Sequence, residues 1–542
     1  MGLLFGLACV FPRFGEGWFR RIEEPASRFA RKKGAVVASM ALGTVLLRVA
    51  LLGVMPVPLP YYHDEFSYLL AGDTFAHGRL TNPPHPMWLF LETMHESMRP
   101  TYASKYPPAQ GGVLALGELL GNPWIGVLLS MGAMAAAVTW ALQGWLPPRW
   151  ALLGGVLVVL RIGVVSYWMN SYWGGAVAAS GGALVIGAVP RLWKRLRAVD
   201  ALLMGLGAAL LANSRPFEGL FFCLPVAVAM GWWTYKLGLQ RATAVRRVIL
   251  PPTAVLIVTL GFMGYYNWRV TGNALQHPQA LDMKTYTNGP LFLWGKPKPP
   301  LHYNNPQMDY FYNVYVKVPF PVRYLLRRRT QELWMFFLGS ALSVPLLAFF
   351  WVMRGRRMRL LLAQLAILGL ELLAFFWFYP HYAAPLTATV FILVMQAMRY
   401  LRLWEVRGSS VGLMLCRMVV LLTVVRVPFV VAHQFIDPDP IFDAVSVADR
   451  VRVTRQLDAM PGKQLVLVRY AAVHAPNNEW VYNRADIDGS KVVWARDIPG
   501  TDPGPLLEYY RDRTVWVVDA DASVMRLRPY VGGTAPGSNL LE

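Results

Sequence analysis

Asp64 and Glu65 stand in the run Tyr61-Tyr62-His63-Asp64-Glu65, directly after the first long hydrophobic stretch, residues 34–59. Paired carboxylates beside an imidazole can take a proton from a hydroxyl. Acids at such a boundary can also simply open a helix, where negative charge is favoured. Three other polar groups decide between these readings: Lys105-Tyr106-Pro107-Pro108, Asn213-Ser214-Arg215-Pro216-Phe217-Glu218 and Tyr379-Pro380-His381-Tyr382. A carboxylate, two or three cations and a histidine on one face suit displacement at a carbon that bears a phosphate leaving group. The carboxylate deprotonates the attacking hydroxyl, and the cations neutralise the departing phosphate.

Bringing such distant residues together requires a scaffold, and composition says which kind. The 542 residues are 55% hydrophobic and only 15% charged, with a net charge of +21 and a mean hydropathy of +0.37. Apolar runs of about 20 residues recur, each long enough to cross a bilayer. They lie at residues 34–59, 123–146, 150–168, 173–193, 199–212, 217–236, 248–268, 333–353, 360–378, 382–398 and 411–432. The expected fold is therefore an all-α polytopic membrane protein of about eleven spans. A basic stretch, residues 1–33, precedes the first span, and basic residues fill the long turns after even-numbered spans, among them Arg191, Lys194, Arg246, Arg247, Arg356 and Arg357. Positive charge stays in the cytoplasm, so the chain is expected in the plasma (inner) membrane with Asp64 on the non-cytoplasmic side. The excess of cations is then a matter of membrane orientation, not of nucleic-acid binding. Cys9, Cys223 and Cys416 lie far apart in apolar sequence and read as reduced structural thiols.

Two outer segments interrupt the spans, residues 60–108 and 269–330. The second carries nine Lys or Arg, including Lys284, Lys296, Lys298, Lys317 and Arg327-Arg328-Arg329, against two acids. Cations where they are disfavoured suggest attraction of a phosphate or anchoring at headgroups. After the membrane region, residues 34–433, the stretch 434–542 changes character. Strand-like runs at 464–468, 491–495 and 514–518 alternate with helix-like runs at 444–460 and 505–512, which suggests a small non-cytoplasmic α/β domain.

The motifs, in their order and sidedness, resemble the polyprenyl-phosphate-sugar-dependent membrane glycosyltransferases of the type C superfamily, which include protein O-mannosyltransferases and lipid A aminoarabinose transferases. Asp64-Glu65 matches the acidic start of their first outer loop. Lys105-Tyr106-Pro107-Pro108 resembles the Lys-Pro-Pro sequence that ends it, with one extra tyrosine. Asn170-Ser171-Tyr172-Trp173, Arg215-Pro216-Phe217-Glu218-Gly219 and Tyr379-Pro380-His381-Tyr382 with Pro385 resemble their later outer motifs. The resemblance covers residues 35–435. It implies transfer of a sugar from a polyprenyl-phosphate donor to a hydroxyl of a glycan, lipid or protein acceptor. Asp64 is then the catalytic base, with Glu65 a second candidate, and Lys105, Arg215, His381 and Tyr382 bind the donor phosphate. Some members use a divalent cation, for which Asp64, Glu65 and Glu92 are the candidate ligands.

Charges within hydrophobic runs, such as Glu118, Arg161, Glu371 and Arg426, raise a different reading, a secondary transporter or lipid flippase. The chain shows no repeat of one half in the other, and a carrier has no obvious use for the acidic loop. A receptor or assembly scaffold leaves the same loop unexplained.

Overall fold

The computed structural model describes residues 2–531, apart from 297, 315–320, 437–443, 472–473, 476–477 and 523–524. Lys317 and the start of the C-terminal stretch at Asp437 lie outside the described residues. Among the described residues seven helices are long and apolar enough to cross a membrane: Lys33–Ala50, Pro123–Trp145, Gly175–Lys194, Pro216–Tyr235, Gly238–Thr271, Pro380–Leu401 and Val411–His433. The pair Val322–Phe337 and Gly339–Met353 is long and apolar enough only when taken together, and it is bent by 97° at its break. The remaining three of the eleven expected spans are shorter helices: Pro148–Val158, Ala198–Ala212 and Arg359–Ala374.

The breaks have local causes. After Pro148–Val158 the backbone widens into a π-turn, Val159–Gly163, which carries Arg161. The Arg161 guanidinium donates to the carbonyls of Phe336, at 3.1 Å, and Met335. It thereby satisfies acceptors freed at the bend, where Gly339 takes φ +57°. Arg329 does the same for the end of Arg359–Ala374, donating to the carbonyls of Leu373 (3.1 Å), Phe375 (2.5 Å) and Phe376 (2.6 Å). Both arginines are thus bound to backbone carbonyls, a standard way to satisfy irregular backbone at membrane depth.

Helix Gly175–Lys194 is the central post, buried over most of its length. It presses against the turn Pro380–Leu386, which carries His381 and Tyr382, and a Cβ at Gly182 would overlap the Pro385 carbonyl. Helix His63–Ala76 packs on Pro108–Leu119 with similar closeness, since a Cβ at Gly111 would lie 2.6 Å from that of Ala71.

The C-terminal stretch forms a four-stranded sheet in the order Val492–Arg496, Lys463–Arg469, Arg513–Asp519, Arg528–Pro529. The first three strands run parallel, and the last pairs antiparallel. One face of this sheet shares a hydrophobic core with the first outer loop, where Leu70, Phe90, Leu91, Met98 and Tyr102 pack against Leu465, Leu467, Val493 and Val517.

Candidate active site

Asp64 and Glu65 are neighbours with opposite fates. Successive helical residues point about 100° apart, so in the first turn of His63–Ala76 one carboxylate turns back while the other turns out. Glu65 is 1% exposed. Its Oε2 accepts from the amides of Tyr61 (2.9 Å) and Tyr62 (3.0 Å), and its Oε1 from that of Tyr172 (2.9 Å). It closes a capping box on its own helix and staples it to the 170–173 segment. Burial pushes the Glu65 carboxyl up to about 7, against the pull of those three amides.

The Asp64 side chain keeps 25% of its surface exposed. Its Oδ1 accepts from the Tyr106 hydroxyl and lies 3.7 Å from His95 Nδ1. Burial, then the nearby Lys105 and His63, hold His95 well below the usual imidazole range, so that contact is not a charged pair. A short hairpin creates the arrangement: Glu96–Ser97 pairs antiparallel with Ala103–Ser104 and returns the chain to the start of the helix. Ser67 Oγ fastens it, at 2.6 Å from the His95 carbonyl and 2.8 Å from Ser104 Oγ. His95 is held at φ +66°, a conformation that costs of order 1–3 kcal/mol and clusters at functional sites.

The extra tyrosine of the Lys105-Tyr106-Pro107-Pro108 motif is therefore the residue that holds Asp64. Its ring stacks on Tyr68 at 4.3 Å, and burial, then Asp64, Tyr68 and Tyr382, keep its hydroxyl protonated well above the ordinary range. Arg215 joins the same cluster from the start of Pro216–Tyr235. Its guanidinium lies over the Tyr382 ring at 4.3 Å, 3.7 Å from Glu218, and acts electrostatically on Tyr68 together with Asp64. His381 is buried, with Nδ1 3.0 Å from the Tyr167 hydroxyl and its ring among Trp173, Tyr379 and Tyr382.

Lys105 Nζ is 3.3 Å from Asp282 Oδ2, from the basic outer segment. Asp282 is fully buried, and burial raises its carboxyl against the pull of Lys105, with Asp64 adding to the rise. A donor phosphate reaching Lys105 has to compete with Asp282.

The structure thus gathers Asp64, Lys105, Arg215 and Tyr382 around shared tyrosines, with His381 beside Tyr382. It ties Glu65 to backbone amides. Glu92 accepts from Tyr286 at 2.9 Å. Among the described residues no three His, Cys, Asp or Glu converge as cation ligands. Within the run Arg327-Arg328-Arg329, Arg329 binds carbonyls and Arg328 pairs with Glu332 at 2.7 Å. His95 and Asp282 are the residues that motif reading passed over, and Tyr106 stood in it only as an extra residue in a motif. The only signal for Asp282 was its being one of two acids in a basic segment.

The C-terminal sheet reaches this site through residues 479–485. The Tyr482 ring stacks on Phe66 at 3.9 Å, and its hydroxyl bonds His63 Nδ1. Arg484 bridges Asp73 (3.2 Å) and Glu118 (2.6 Å). Glu118 and Arg161, charges expected within hydrophobic runs, thus both have structural partners.

No protein-family model matches the chain, and no curated protein matches it. Solved structures do. ArnT from Cupriavidus metallidurans in the apo state aligns over 88% of this chain and 93% of its own, at 14% identity and a TM-score of 0.50. The chain has the fold of ArnT. ArnT bound to undecaprenyl phosphate aligns over 90% of this chain and 92% of its own, at 13% identity and a TM-score of 0.47. The Archaeoglobus fulgidus oligosaccharyltransferase tethered to an acceptor peptide aligns over 90% of this chain and 68% of its own, at 10% identity and a TM-score of 0.48. Both proteins are members of the type C superfamily. At 14% identity, likeness to ArnT carries the fold alone, and the chemistry must come from this chain's own residues.

Proposed function

We propose that the chain is a membrane glycosyltransferase that moves a sugar from a polyprenyl-phosphate-linked donor to an acceptor hydroxyl on the non-cytoplasmic face of the plasma membrane. The observation that carries this reading is the cluster around Asp64. One partly exposed carboxylate shares Tyr106 and Tyr68 with two cations, Lys105 and Arg215, that arrive from separate elements of an ArnT-like fold. ArnT has been solved with undecaprenyl phosphate bound, a carrier of the class that the donor assigned here would release. The eleven-crossing topology counts the three shorter helices and the bent pair as spans.

In this mechanism the acceptor hydroxyl gives its proton to Asp64 as its oxygen bonds to the anomeric carbon. The bond from that carbon to the phosphate oxygen breaks, and its electron pair leaves on the polyprenyl phosphate. Arg215 and Lys105 stabilise the charge that develops there. Tyr106 fixes the Asp64 rotamer, which leaves the outward oxygen for the acceptor. His381 and Tyr382 line the phosphate side, with Tyr382 holding the Arg215 guanidinium over its ring. Glu65 has a structural role, since its oxygens already serve three amides. Acceptors are hydroxyls of glycans, lipids or proteins.

Sugar release from radiolabelled undecaprenyl-phosphate-linked hexose and pentose donors by purified protein tests the reading. Asp64→Asn keeps the shape and loses the base. It is expected to lower turnover by a factor on the order of 100 or more, with undecaprenyl phosphate still bound. A folded Asp64→Asn protein with wild-type turnover rules out the assignment.

A further inference from the structure

The far end of the bundle holds a second concave site. A cleft of about 540 Å³ is lined by Lys33, Lys194, Arg357 and Arg399, with Trp145 and Trp193 among its walls. Its volume falls in the range of clefts that hold ligands. Three of the helices that frame it run from the neighbourhood of the Asp64 site. Pro123–Trp145 begins beside the 169–173 segment, where Trp124 Nε1 donates to the Met169 carbonyl at 2.9 Å, and ends at the cleft. Gly175–Lys194 begins beside Trp173 and ends there too. Pro380–Leu401 begins at His381 and brings Arg399 to it. At 1.5 Å per residue, the 23 residues of Pro123–Trp145 span roughly 35 Å between the two ends.

The four cations come from four different parts of the chain, and no Asp or Glu lines the cleft. Among the described residues none of the four makes an ion pair. Arg399 donates only to its neighbour Gln396, at 2.8 Å. Like charges gathered around one hollow repel one another, and an anion there relieves that repulsion. Burial of the cleft ends of the helices against Trp145 and Trp193, whose rings meet edge to face at 5.8 Å, gives the depth at which indoles mark the headgroup layer.

We propose that this cleft binds the headgroup of an anionic phospholipid, on the membrane face opposite the Asp64 site. The phosphate oxygens accept from Lys194, Arg357 and Arg399, and the acyl chains run along the apolar flanks of the helices. A membrane source is favoured over free phosphate because the cleft opens at the ends of membrane-crossing helices, where headgroups stand at high local concentration. This site is independent of the transferase reading.

Full-length protein in detergent, titrated with dioleoyl phosphatidylglycerol or dioleoyl phosphatidylcholine and read by native mass spectrometry, tests it. Wild-type protein is expected to retain phosphatidylglycerol selectively. The triple variant Lys194→Gln, Arg357→Gln, Arg399→Gln is expected to lose that selectivity, by roughly fivefold per cation removed. Equal retention of both lipids by wild type overturns the proposal, as does unchanged selectivity in the triple variant. Displacement of phosphatidylglycerol by millimolar inorganic phosphate overturns the lipid assignment. Should the triple variant not fold, Arg357→Gln alone, at an exposed turn, must show the fivefold loss, and its absence counts against the site equally.

Discussion

The two ends of the bundle treat positive charge in opposite ways. Around Asp64 every cation is held: Lys105 by Asp282, Arg215 by Glu218 and the face of Tyr382. At the other end Lys33, Lys194, Arg357 and Arg399 surround a hollow with no carboxylate in its lining. Held charges start from defined positions, and a donor fixed before the reaction, as Arg215 is over the Tyr382 ring, need not reorganise as charge develops. Unpaired charges on long side chains can follow a mobile anion but cannot position one. The first arrangement suits a reacting phosphate, the second a lipid headgroup.

The sharpest way to break this comparison is to ask whether the ends face different compartments. Glu508, exposed on helix Gly504–Tyr509 beside the C-terminal sheet that packs on the Asp64 loop, and Ala242, exposed in the first turns of Gly238–Thr271, report on the two sides. With single cysteines there, a membrane-impermeant thiol reagent on intact cells is expected to label Glu508→Cys and to label Ala242→Cys only after permeabilisation. The reverse pattern would invert the protein and move the Asp64 site to the cytoplasm.

Removing a held cation comes next. Arg215→Leu takes away a charge-assisted contact to the donor phosphate, worth about 1.5–3 kcal/mol, or roughly one to two orders of magnitude in undecaprenyl phosphate affinity. Titration of the purified variant measures it, and unchanged affinity would release Arg215 from the site. The same substitution at Arg357 should leave affinity for undecaprenyl phosphate untouched.

The smallest effect separates Asp64 from its neighbour. The Glu65 carboxyl is raised to about 7 in the folded protein from an ordinary 4.5. A raised group favours the fold when protonated, so its contribution is fully present below about 4.5 and is lost as pH rises through 7. Glu65→Gln gives up acceptance of at least one amide, at a cost of about 1–3 kcal/mol. It should lower the thermal midpoint by a few degrees at low pH while flattening its dependence on pH between 4.5 and 7. A midpoint with the wild-type slope would show that this carboxyl does not titrate there.

The site motifs were legible in the sequence because polar residues at membrane boundaries are few. Hydropathy also located the long spans. It could not show that the segment expected at 333–353 begins inside a bent pair, since the 97° break depends on Arg161, some 170 residues upstream, satisfying the freed carbonyls. Nor could one sequence separate Asp64 from Glu65, adjacent acids in one helical turn whose roles differ only by the direction each faces. His95 and Asp282 were invisible for a related reason. A two-residue hairpin brings the first beside Asp64, and an ion pair across 177 residues brings the second to Lys105. Tyr106 was noticed as an insertion in a motif, and its use became plain only when its hydroxyl was found on Asp64.

The most direct test is a cryo-EM structure of the protein with undecaprenyl phosphate. The phosphate is expected within hydrogen-bonding distance of Arg215 and Lys105, with Lys105 drawn away from Asp282 and the outward oxygen of Asp64 still open to an acceptor. A phosphate bound only in the cleft of Lys194, Arg357 and Arg399, with Lys105 still on Asp282, would contradict the assignment of the reacting site.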